Sequence, residues 1–382
     1  MSTVNLTTKI AVLGGGQLGR MMLQEVSRYH LNIEILDPTP DAPAAALAAR
    51  FVQGDFKDYD TVMEFCAEAD VVTIEIEHVN LEALKALEQQ GKKVFPQPAI
   101  LEIIKDKGLQ KQFYQQRGIP TAPFRLVDGD LADHVDFFPC MQKSRTGGYD
   151  GKGVYPLKSE GDIENALSGP SMLEKWVDFT TEIAVIVARN ESGQTAVFPV
   201  VEMEFNPEAN LVELLFCPTQ VSQEIQARAE QVALQVANDL GMIGLLAVEM
   251  FVTKEGEVWV NEVAPRPHNS GHHTIECCYT SQYEQHIRAI LNWPLGDTKL
   301  IQPAVMINLL GDKDHKGEVH YRGLEEALDQ SGVYVHLYGK SKTAPYRKMG
   351  HVTVMKPSLE EAKQVARTLM NRIKVVSVDN SK

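Results

Sequence analysis

Two glutamates on a candidate β-hairpin have the chemistry and the spacing to bind a divalent cation. Apolar, strand-like runs flank the turn sequence Thr253-Lys-Glu-Gly-Glu257, which is typical of a hairpin. A turn centred on Glu255-Gly256 places Glu249 opposite Glu262, with Cβ atoms about 5 Å apart. Like charges this close repel unless a cation lies between them. The pair therefore indicates a site for Mg²⁺ or Mn²⁺, completed by water and nucleotide phosphates.

The alternative interpretation places both glutamates on a solvated outer face, or shifts the register by one residue and separates them. In the predicted register four apolar residues share the face of the glutamates: Ala247, Phe251, Val258 and Val260. We therefore expect a face that is not simply exposed to solvent.

A run of polar residues leaves the second strand of this hairpin, from Asn261 to Thr274. Arg266 offers a planar pair of donors for an oxyanion, and His268 and Asn269 add directional hydrogen bonds. The adjacent His272-His273 pair suggests zinc, but no further Cys or His stands at zinc-finger spacing. The alternative is a proline-stiffened connection without a ligand.

A first glycine loop, Gly14 to Gly19, matches GxGxxG between a strand-like run and a helix-like run. Asp37 follows 21 residues after Gly16, where a ribose-binding acid of a dinucleotide site would stand. The loop alone fits either NAD binding or a tight turn with no ligand.

A second glycine-rich stretch runs from Lys143 to Gly153, between two strand-like pieces. It predicts a hairpin flap whose backbone N–H groups, with Lys143 and Lys152, could fold over a polyphosphate. The alternative is a mobile surface hairpin.

The elements around these residues change in character along the chain. Residues 1–100 alternate strand and helix patterns, which predicts a parallel sheet, and Pro96 and Pro98 then suggest a domain edge. One helix is expected over 100–116. Short strands around glycine loops follow, then a helix over 222–240, the hairpin, strands at 304–309 and 333–337, and a helix over 358–373.

Composition excludes several classes of protein. The chain has 382 residues and a formal net charge of −14, which disfavours nucleic acid as a partner. Its five cysteines are an odd number without CxxC spacing, so we expect buried free thiols instead of disulfides. The longest strongly apolar stretch, 183–188, is too short to cross a membrane. We expect a cytoplasmic protein.

These motifs, in this order, resemble those of the ATP-grasp superfamily and, within it, the 5-(carboxyamino)imidazole ribonucleotide synthase family. The resemblance runs from about residue 9 to about residue 373. Six motifs carry it: GGGQLGRM at 14–21, TIEIEHV at 73–79, GGYDGKG at 147–153, EKWV at 174–177, NEVAPRPHNSGH at 261–272 and YRKMGH at 346–351. The last two separate this family from other ATP-grasp enzymes.

The resemblance implies a mixed α/β and α+β fold with the ATP-grasp architecture. An N-terminal Rossmann-like (βαβ) substrate-binding domain would span residues 1–100, and a small lobe with the glycine-rich flap 101–180. A two-lobed ATP-binding domain would be completed by a large lobe with the metal site over 181–298, followed by a small β-rich C-terminal domain over 299–382.

The activity implied is that of a ligase in purine biosynthesis. Such an enzyme joins bicarbonate to the amine of 5-aminoimidazole ribonucleotide, through carboxyphosphate, and releases ADP and phosphate from ATP. These small molecules, and a second copy of the chain in a homodimer, would be its partners. With this resemblance the first glycine loop would face the ribonucleotide instead of a dinucleotide.

The resemblance also implies roles for individual residues. Glu249 and Glu262 would bind the metal ion, and Arg266, His268 and Asn269 would steady the carboxyphosphate and the attacking amine. ATP would contact Lys107, Lys143, Gly148, Tyr149, Asp150, Gly151, Lys152, Gly153, Glu174, Lys175, Trp176, Val177, Glu182 and Asn261. The ribonucleotide would contact Gln17, Glu75, Tyr149, Asp150 and Arg266, with its phosphate on Lys340 and Arg347.

The chain departs from the family at Phe205, where a histidine is common. Other hypotheses are an ATP-grasp ligase for a different amine, such as a formyl-transferring relative, a NAD-dependent oxidoreductase, and a protein that only binds nucleotides. Affinity for ATP-Mg²⁺ without affinity for NAD would separate the ATP-grasp hypotheses from the oxidoreductase.

Overall fold

The structure, a computed structural model, describes residues 6–147, 153–206 and 211–378. Five residues with predicted nucleotide or substrate contacts, Gly148, Tyr149, Asp150, Gly151 and Lys152, lie outside the described residues. Among the helices in these three ranges, none is both long enough and apolar enough to cross a membrane.

The N-terminal part is a five-stranded parallel sheet, as the alternating pattern predicts. Its order is β3-β2-β1-β4-β5. The strands are β1 (Lys9–Leu13), β2 (Asn32–Asp37), β3 (Arg50–Gln53), β4 (Val71–Ile74) and β5 (Lys93–Phe95), and the helices are α1 (Gln17–Val26), α2 (Tyr59–Phe65) and α3 (Leu81–Gln89). Alternate residues of the central strands enter two separate apolar clusters, so the sheet is buried on both faces.

Two helices replace the single helix expected over 100–116. They are α4 (Pro98–Lys105) and α5 (Lys107–Arg117). Asp106 between them is extended, and its side chain accepts hydrogen bonds from the backbone N–H groups of Gly108 and Leu109. The expectation of one helix was wrong because Asp106 caps a new helix at that point.

The next four strands form an antiparallel sheet that carries the second glycine-rich stretch. Its order is β6-β9-β7-β8, with β6 (Phe124–Val127), β7 (Cys140–Ser144), β8 (Val154–Leu157) and β9 (Ser171–Lys175). Lys143 pairs with Val154 in the β7–β8 hairpin. Gly153, with φ of +73°, closes the base of the flap because its carbonyl accepts from Ser144 N–H at 2.8 Å.

A nine-stranded antiparallel sheet forms the centre of the molecule. Its main path is β15-β14-β10-β12-β13-β16-β20-β18, and β11 pairs with β10. The first members are β10 (Phe179–Arg189), β11 (Thr195–Val197), β12 (Val201–Asn206), β13 (Leu211–Cys217), β14 (Gly244–Thr253) and β15 (Val258–Ala264). Helix α6 (Gln223–Leu240) packs on one face, and α7 (Thr274–Cys277) and α8 (Gln282–Ile290) follow the hairpin.

The C-terminal strands continue this sheet across the predicted boundary at residue 298. β16 (Ala304–Leu310) pairs with β13, and β20 (Lys348–Met355) joins β16 to β18 (Val333–Leu337). A small sheet contains β17 (Gly317–Arg322), β19 (Lys342–Thr343) and β21 (Lys374–Ser377), with helices α9 (Leu324–Leu328) and α10 (Leu359–Arg372). The C-terminal segment therefore shares backbone hydrogen bonds with the segment before it, and the three domain boundaries stay predictions.

All five cysteines are free and buried, as expected from their spacing. Burial raises the pKa of each thiol, for example to about 12 for Cys66 and to about 11 for Cys140. At neutral pH these thiols are protonated and act as small apolar side chains.

Candidate active site

The two hairpin glutamates face each other, as predicted. Glu249 on β14 pairs directly with Glu262 on β15. The pairing runs from Val252–Val258 to Met250–Val260 and then jumps to the glutamates, so Asn261 is the extra residue of a β-bulge. A regular ladder counted from the observed pair Val252–Val258 would have placed Asn261 opposite Glu249. The turn is centred on Glu255, not between Glu255 and Gly256 as predicted, and the bulge restores the predicted pair of glutamates.

The bulge also corrects the predicted face of the hairpin. Val258 and Val260 do not share the face of the glutamates, because they lie in the core cluster of the opposite face with Met250. Trp259 pairs with Phe251 and lies on the glutamate side in their place. The glutamates therefore share their face of the hairpin with the aromatic rings of Phe251 and Trp259.

Lysines from two other elements reach the glutamate side. Lys107, the first residue of α5, lies with its Nζ 2.7 Å from Glu262 Oε2. Lys143 on β7 donates to Asn261 Oδ1 at 3.3 Å and to Glu174 Oε1 at 2.9 Å. The face that carries the two glutamates is thus opposed by two ammonium groups, an arrangement that suits a polyphosphate lying between them.

The two facing carboxylates differ in their readiness to ionise. Burial and the charge of Glu262 raise the pKa of Glu249. Burial would also raise the pKa of Glu262, but the charge of Lys107 outweighs it and lowers that pKa. Glu262 is therefore the more readily ionised of the two, and a further positive charge nearby would favour ionisation of Glu249.

Glu174 connects the second of these lysines to a buried one. Its carboxylate on β9 lies 2.9 Å from Lys143 Nζ and 2.5 Å from Lys111 Nζ on α5. The side chains of Lys111 and Glu174 are only 3% and 4% exposed. Burial would raise the pKa of Glu174, but the two lysines outweigh burial and lower it. Sequence reasoning missed Lys111, whose charge on the buried side of α5 was the available signal.

The other predicted ATP contacts lie at the end of β9, directly after it, and on β10. Lys175 donates to Phe137 O at 2.8 Å, Trp176 is half-exposed and Val177 is buried. Glu182 on β10 pairs with Phe251, and burial raises its pKa to about 7. These positions suit an aromatic ring and a ribose, but the ligand roles stay predictions.

Arg266 and His268 leave β15 towards two different acids. Arg266 Nε lies 2.9 Å from Glu77 Oε1, and its Nη2 donates to Oε2 at 3.1 Å. His268 Nε2 lies 3.4 Å from Glu249 Oε1, and Ser270 N–H donates to Nδ1. Because Nδ1 accepts, Nε2 carries the proton and faces the Glu249 carboxylate. Burial, with the nearby charge of Arg266, lowers the pKa of His268 to about 3.

Asn269 is held by the C-terminal part of the central sheet. Its Nδ2 donates to Asn308 Oδ1 at 2.9 Å, and Asn308 Nδ2 returns the bond to Asn269 Oδ1 at 2.9 Å. Asn308 also donates to Val212 O. The predicted contact of Asn269 with the reacting groups stays a prediction, and the reciprocal amide pair gives this side chain a structural partner.

The first glycine loop already holds carboxylates. Glu75 accepts from Gly16 N–H at 3.0 Å and from Gly19 N–H at 3.1 Å, at the N-terminus of α1. Asp37 accepts from Gly15 N–H at 2.8 Å. A dinucleotide would need these donors for its pyrophosphate and that acid for its ribose. The loop therefore holds Glu75 beside Gln17, the first residue of α1, and the geometry disfavours NAD.

The predicted phosphate-binding residues lie at the junction between the C-terminal segment and the N-terminal sheet. Lys340 donates to Lys348 O at 2.7 Å, and the next residue, Ser341, donates to Asp41 at 3.0 Å. Arg347 is exposed and donates to Lys342 O at 2.6 Å. The fold thus brings Lys340 close to the N-terminal domain.

Lys348 is a second residue that sequence reasoning missed. Among nearby positive charges, Lys348 opposes the rise in the pKa of Glu249 most strongly. The same charge helps to lower the pKa values of His268 and His272. Its neighbours in YRKMGH were the available signal.

The adjacent histidines His272 and His273 are buried. In residues 6–147, 153–206 and 211–378 no cluster of three or more His, Cys, Asp or Glu side chains could hold a metal ion.

Lys107 on α5 and Lys143 on the four-stranded sheet lie on the side of the paired glutamates of the central sheet, and this arrangement is that of an ATP-grasp enzyme. Comparison with known proteins supports this class of enzyme. Residues 7–105 match the ribonucleotide synthetase preATP-grasp domain, 112–283 the ATP-grasp domain, and 304–365 the phosphoribosylaminoimidazole carboxylase C-terminal domain.

Relatives that match along most of the chain identify the family within the ATP-grasp enzymes. N5-carboxyaminoimidazole ribonucleotide synthase of Bacillus subtilis is 36% identical, over 95% of this chain and 96% of that protein. The chloroplastic phosphoribosylaminoimidazole carboxylase of Vigna aconitifolia is 39% identical over 92% of this chain, which spans 64% of that longer protein. The chain belongs to the N5-carboxyaminoimidazole ribonucleotide synthase family.

Solved structures agree with this assignment. The N5-carboxyaminoimidazole ribonucleotide synthetase of Thermotoga maritima superposes with a TM-score of 0.91, at 44% identity, covering 97% of this chain and 100% of that one. The Aspergillus clavatus N5-carboxyaminoimidazole synthase, in complex with ADP and 5-aminoimidazole ribonucleotide, has a TM-score of 0.87 at 32% identity, covering 96% and 99%.

Replacement of Lys111 by Met tests the buried charge network. The change leaves one oxygen of the buried Glu174 carboxylate without its cation, and we expect a loss of about 3 kcal/mol in unfolding free energy. Urea unfolding followed by circular dichroism measures it. Lys85→Met is the matched control, because Lys85 forms surface pairs with Glu82 and Glu102 and its loss should change little. Equal stability of the two variants would contradict the network.

Proposed function

We propose that this chain carboxylates 5-aminoimidazole ribonucleotide with bicarbonate and ATP, and releases ADP and phosphate. The observation that carries the proposal is the direct contact between two sets of groups. Cation-binding Glu249 lies 3.4 Å from His268, in the loop that also bears Arg266. The groups that would bind the phosphates and the groups that would bind the bicarbonate oxygens are therefore adjacent. The reaction requires this, because bicarbonate must be phosphorylated before it is joined to the amine.

ATP binds between the lobes, with its phosphates towards Lys107 and Lys143. Both lysines now contact carboxylate or amide oxygens, and phosphate oxygens would replace some of these acceptors without moving the ammonium groups far. Trp176 and Val177 line the base pocket, and Glu182 accepts from the ribose. The flap, with Gly153 at its base, closes over the phosphates.

The donor set fits Mg²⁺, or Mn²⁺ as a substitute. Glu249 and Glu262 supply facing carboxylate oxygens, and Mg²⁺ commonly takes one or two carboxylates together with phosphates and water. Because the pKa of Glu249 is raised and that of Glu262 is lowered, a cation held between them would favour ionisation of both carboxylates. Such a cation would supply positive charge for the transferring phosphoryl group.

The loop after β15 handles the carboxylate end of the reaction. Arg266 binds oxygens of bicarbonate and of carboxyphosphate, and the neutral His268 donates from Nε2. Asn269 completes the donors near the attacking amine. Carboxyphosphate is labile in water, so closure of the lobes and the flap must precede its formation.

The ribonucleotide lies against the N-terminal sheet. Gln17 contacts it from the start of α1 and Glu75 from the segment after β4, and Lys340 and Arg347 bind its phosphate. Tyr149 and Asp150, in the flap, would cover it. We also propose a homodimer as the working assembly, on the strength of the resemblance, and keep the predicted domain boundaries at residues 100, 180 and 298.

Phosphate release from ATP-Mg²⁺ in bicarbonate buffer tests the reaction. We expect strong stimulation by 5-aminoimidazole ribonucleotide, together with the disappearance of its free amine. NAD should neither bind nor compete with ATP. Tight ATP binding without any stimulation by the ribonucleotide would keep the fold but reject this substrate.

The variant Glu262→Gln tests the metal assignment. Loss of this carboxylate should lower ATP turnover by about 100-fold or more, because a cation ligand is removed while the side-chain shape is kept. Glu255→Gln, at the exposed hairpin turn, is the matched control and should retain full turnover. Circular dichroism should show both variants folded. Turnover of Glu262→Gln close to that of the unchanged protein would sink the assignment.

The variant Arg347→Ala tests the phosphate site of the ribonucleotide. We expect the KM for the ribonucleotide to rise about tenfold or more, with a change of less than about twofold in the KM for ATP. Lys316→Ala, another exposed cation of the C-terminal segment, should change neither constant. Equal effects of Arg347→Ala on both KM values would indicate a purely structural role.

A further inference from the structure

The ion pair between Glu77 and Arg266 joins the N-terminal domain to the loop that handles the oxyanion. The carboxylate lies along the Nε–Nη2 edge of the guanidinium, at 2.9 Å and 3.1 Å. The side chain of Arg266 is 19% exposed and that of Glu77 is 22% exposed, so water screens this pair less than a surface pair. Arg266 Nη1 donates to Pro267 O at 3.0 Å. The Glu77 carboxylate and Pro267 O, which contact different nitrogens, therefore restrict both the position and the plane of the guanidinium.

The segment that carries Glu77 is fixed on both sides. Glu75, two residues earlier, is bound by the N–H groups of the glycine loop. Two residues later, Val79 O accepts from Lys105 Nζ at 3.0 Å, and Asn80 N–H donates to Phe56 O. The glycine loop thus has a purpose in this fold without any dinucleotide, because it holds the backbone from which Glu77 extends.

The loop that carries Arg266 is fixed in a similar way. The buried amide of Gln282, on α8, accepts from His268 N–H at 2.8 Å and donates to His268 O at 2.7 Å. Glu77 and Arg266 therefore meet from two backbones that have little freedom. In such a setting the carboxylate determines the direction of the guanidinium and cannot simply follow it.

We propose that Glu77 is a positioning residue for carboxylation, which orients Arg266 so that its guanidinium meets the bicarbonate and carboxyphosphate oxygens. The inference rests on the role given to Arg266 under the proposed function. Glu77 itself touches no reacting atom. A planar donor must be oriented as well as placed, and misplacement by about 1 Å can cost about 100-fold in rate. An acid on a separate domain also makes this orientation depend on the approach of that domain.

A double-mutant cycle separates positioning from a general structural role. Glu77→Gln should lower kcat by about 10- to 100-fold and raise the KM for bicarbonate, with the KM for ATP changed less than about twofold. In the Arg266→Lys background the same change should alter kcat by less than about twofold, because the oriented group is already gone. Glu82→Gln, in the exposed first turn of α3, is the control. Equal factors in both backgrounds would overturn the proposal.

A second measurement does not depend on turnover. The Nε–H resonance of Arg266 can be assigned in a ¹H–¹⁵N spectrum by its absence in Arg266→Lys. Glu77→Gln should shift this resonance and speed its exchange with solvent, and Glu82→Gln should leave it in place. An unshifted resonance would overturn the proposal. If the unchanged protein showed no stimulation by the ribonucleotide, the proposed function would fail, while this spectrum would still decide whether Glu77 orients Arg266.

Discussion

Repulsion between two facing carboxylates is the constraint on which the rest of the site depends. Glu249 and Glu262 are paired across one hairpin, so positive charge must come from elsewhere in the fold. Lys107 supplies it from α5, and Lys348 from the C-terminal segment. Next to this pair, Lys143 lies between Asn261 and Glu174, and Glu174 in turn contacts Lys111. The result is an alternating chain of charges across two lobes, which a bound nucleotide and cation would complete.

The first glycine loop binds a carboxylate of its own chain in place of a phosphate ligand. A helix N-terminus with free N–H groups attracts an anion, and in this fold the anion is the Glu75 carboxylate. The donors are thereby satisfied within the chain, and the segment after β4 becomes rigid. That segment carries Glu77 to Arg266, so the parallel sheet helps to fix the position of Arg266 although it lies outside the two lobes.

The C-terminal segment is tied to the site by backbone pairing and by side chains. β16 and β20 extend the central sheet, Asn308 exchanges two hydrogen bonds with Asn269, and Lys340 lies on the backbone of Lys348. Phe205, where the family commonly has histidine, packs into an apolar cluster of the same sheet. Because β16 and β20 belong to the same sheet as β15, the C-terminal residue Asn308 reaches Asn269 in the loop after β15.

By itself the sequence determined the parallel N-terminal sheet, the hairpin with its facing glutamates and the burial of the cysteines, because alternation, turn residues and spacing are local signals. It misjudged what depends on distant partners. Asp106 splits the expected helix because its side chain caps α5 while it binds Arg145. The bulge at Asn261 moves Val258 and Val260 to the other face and directs Asn261 towards Lys143. Only the tertiary structure decided the partners of Lys111, Glu77 and Lys348, because ion pairs between separate elements depend on how those elements pack and leave no periodic trace in the chain.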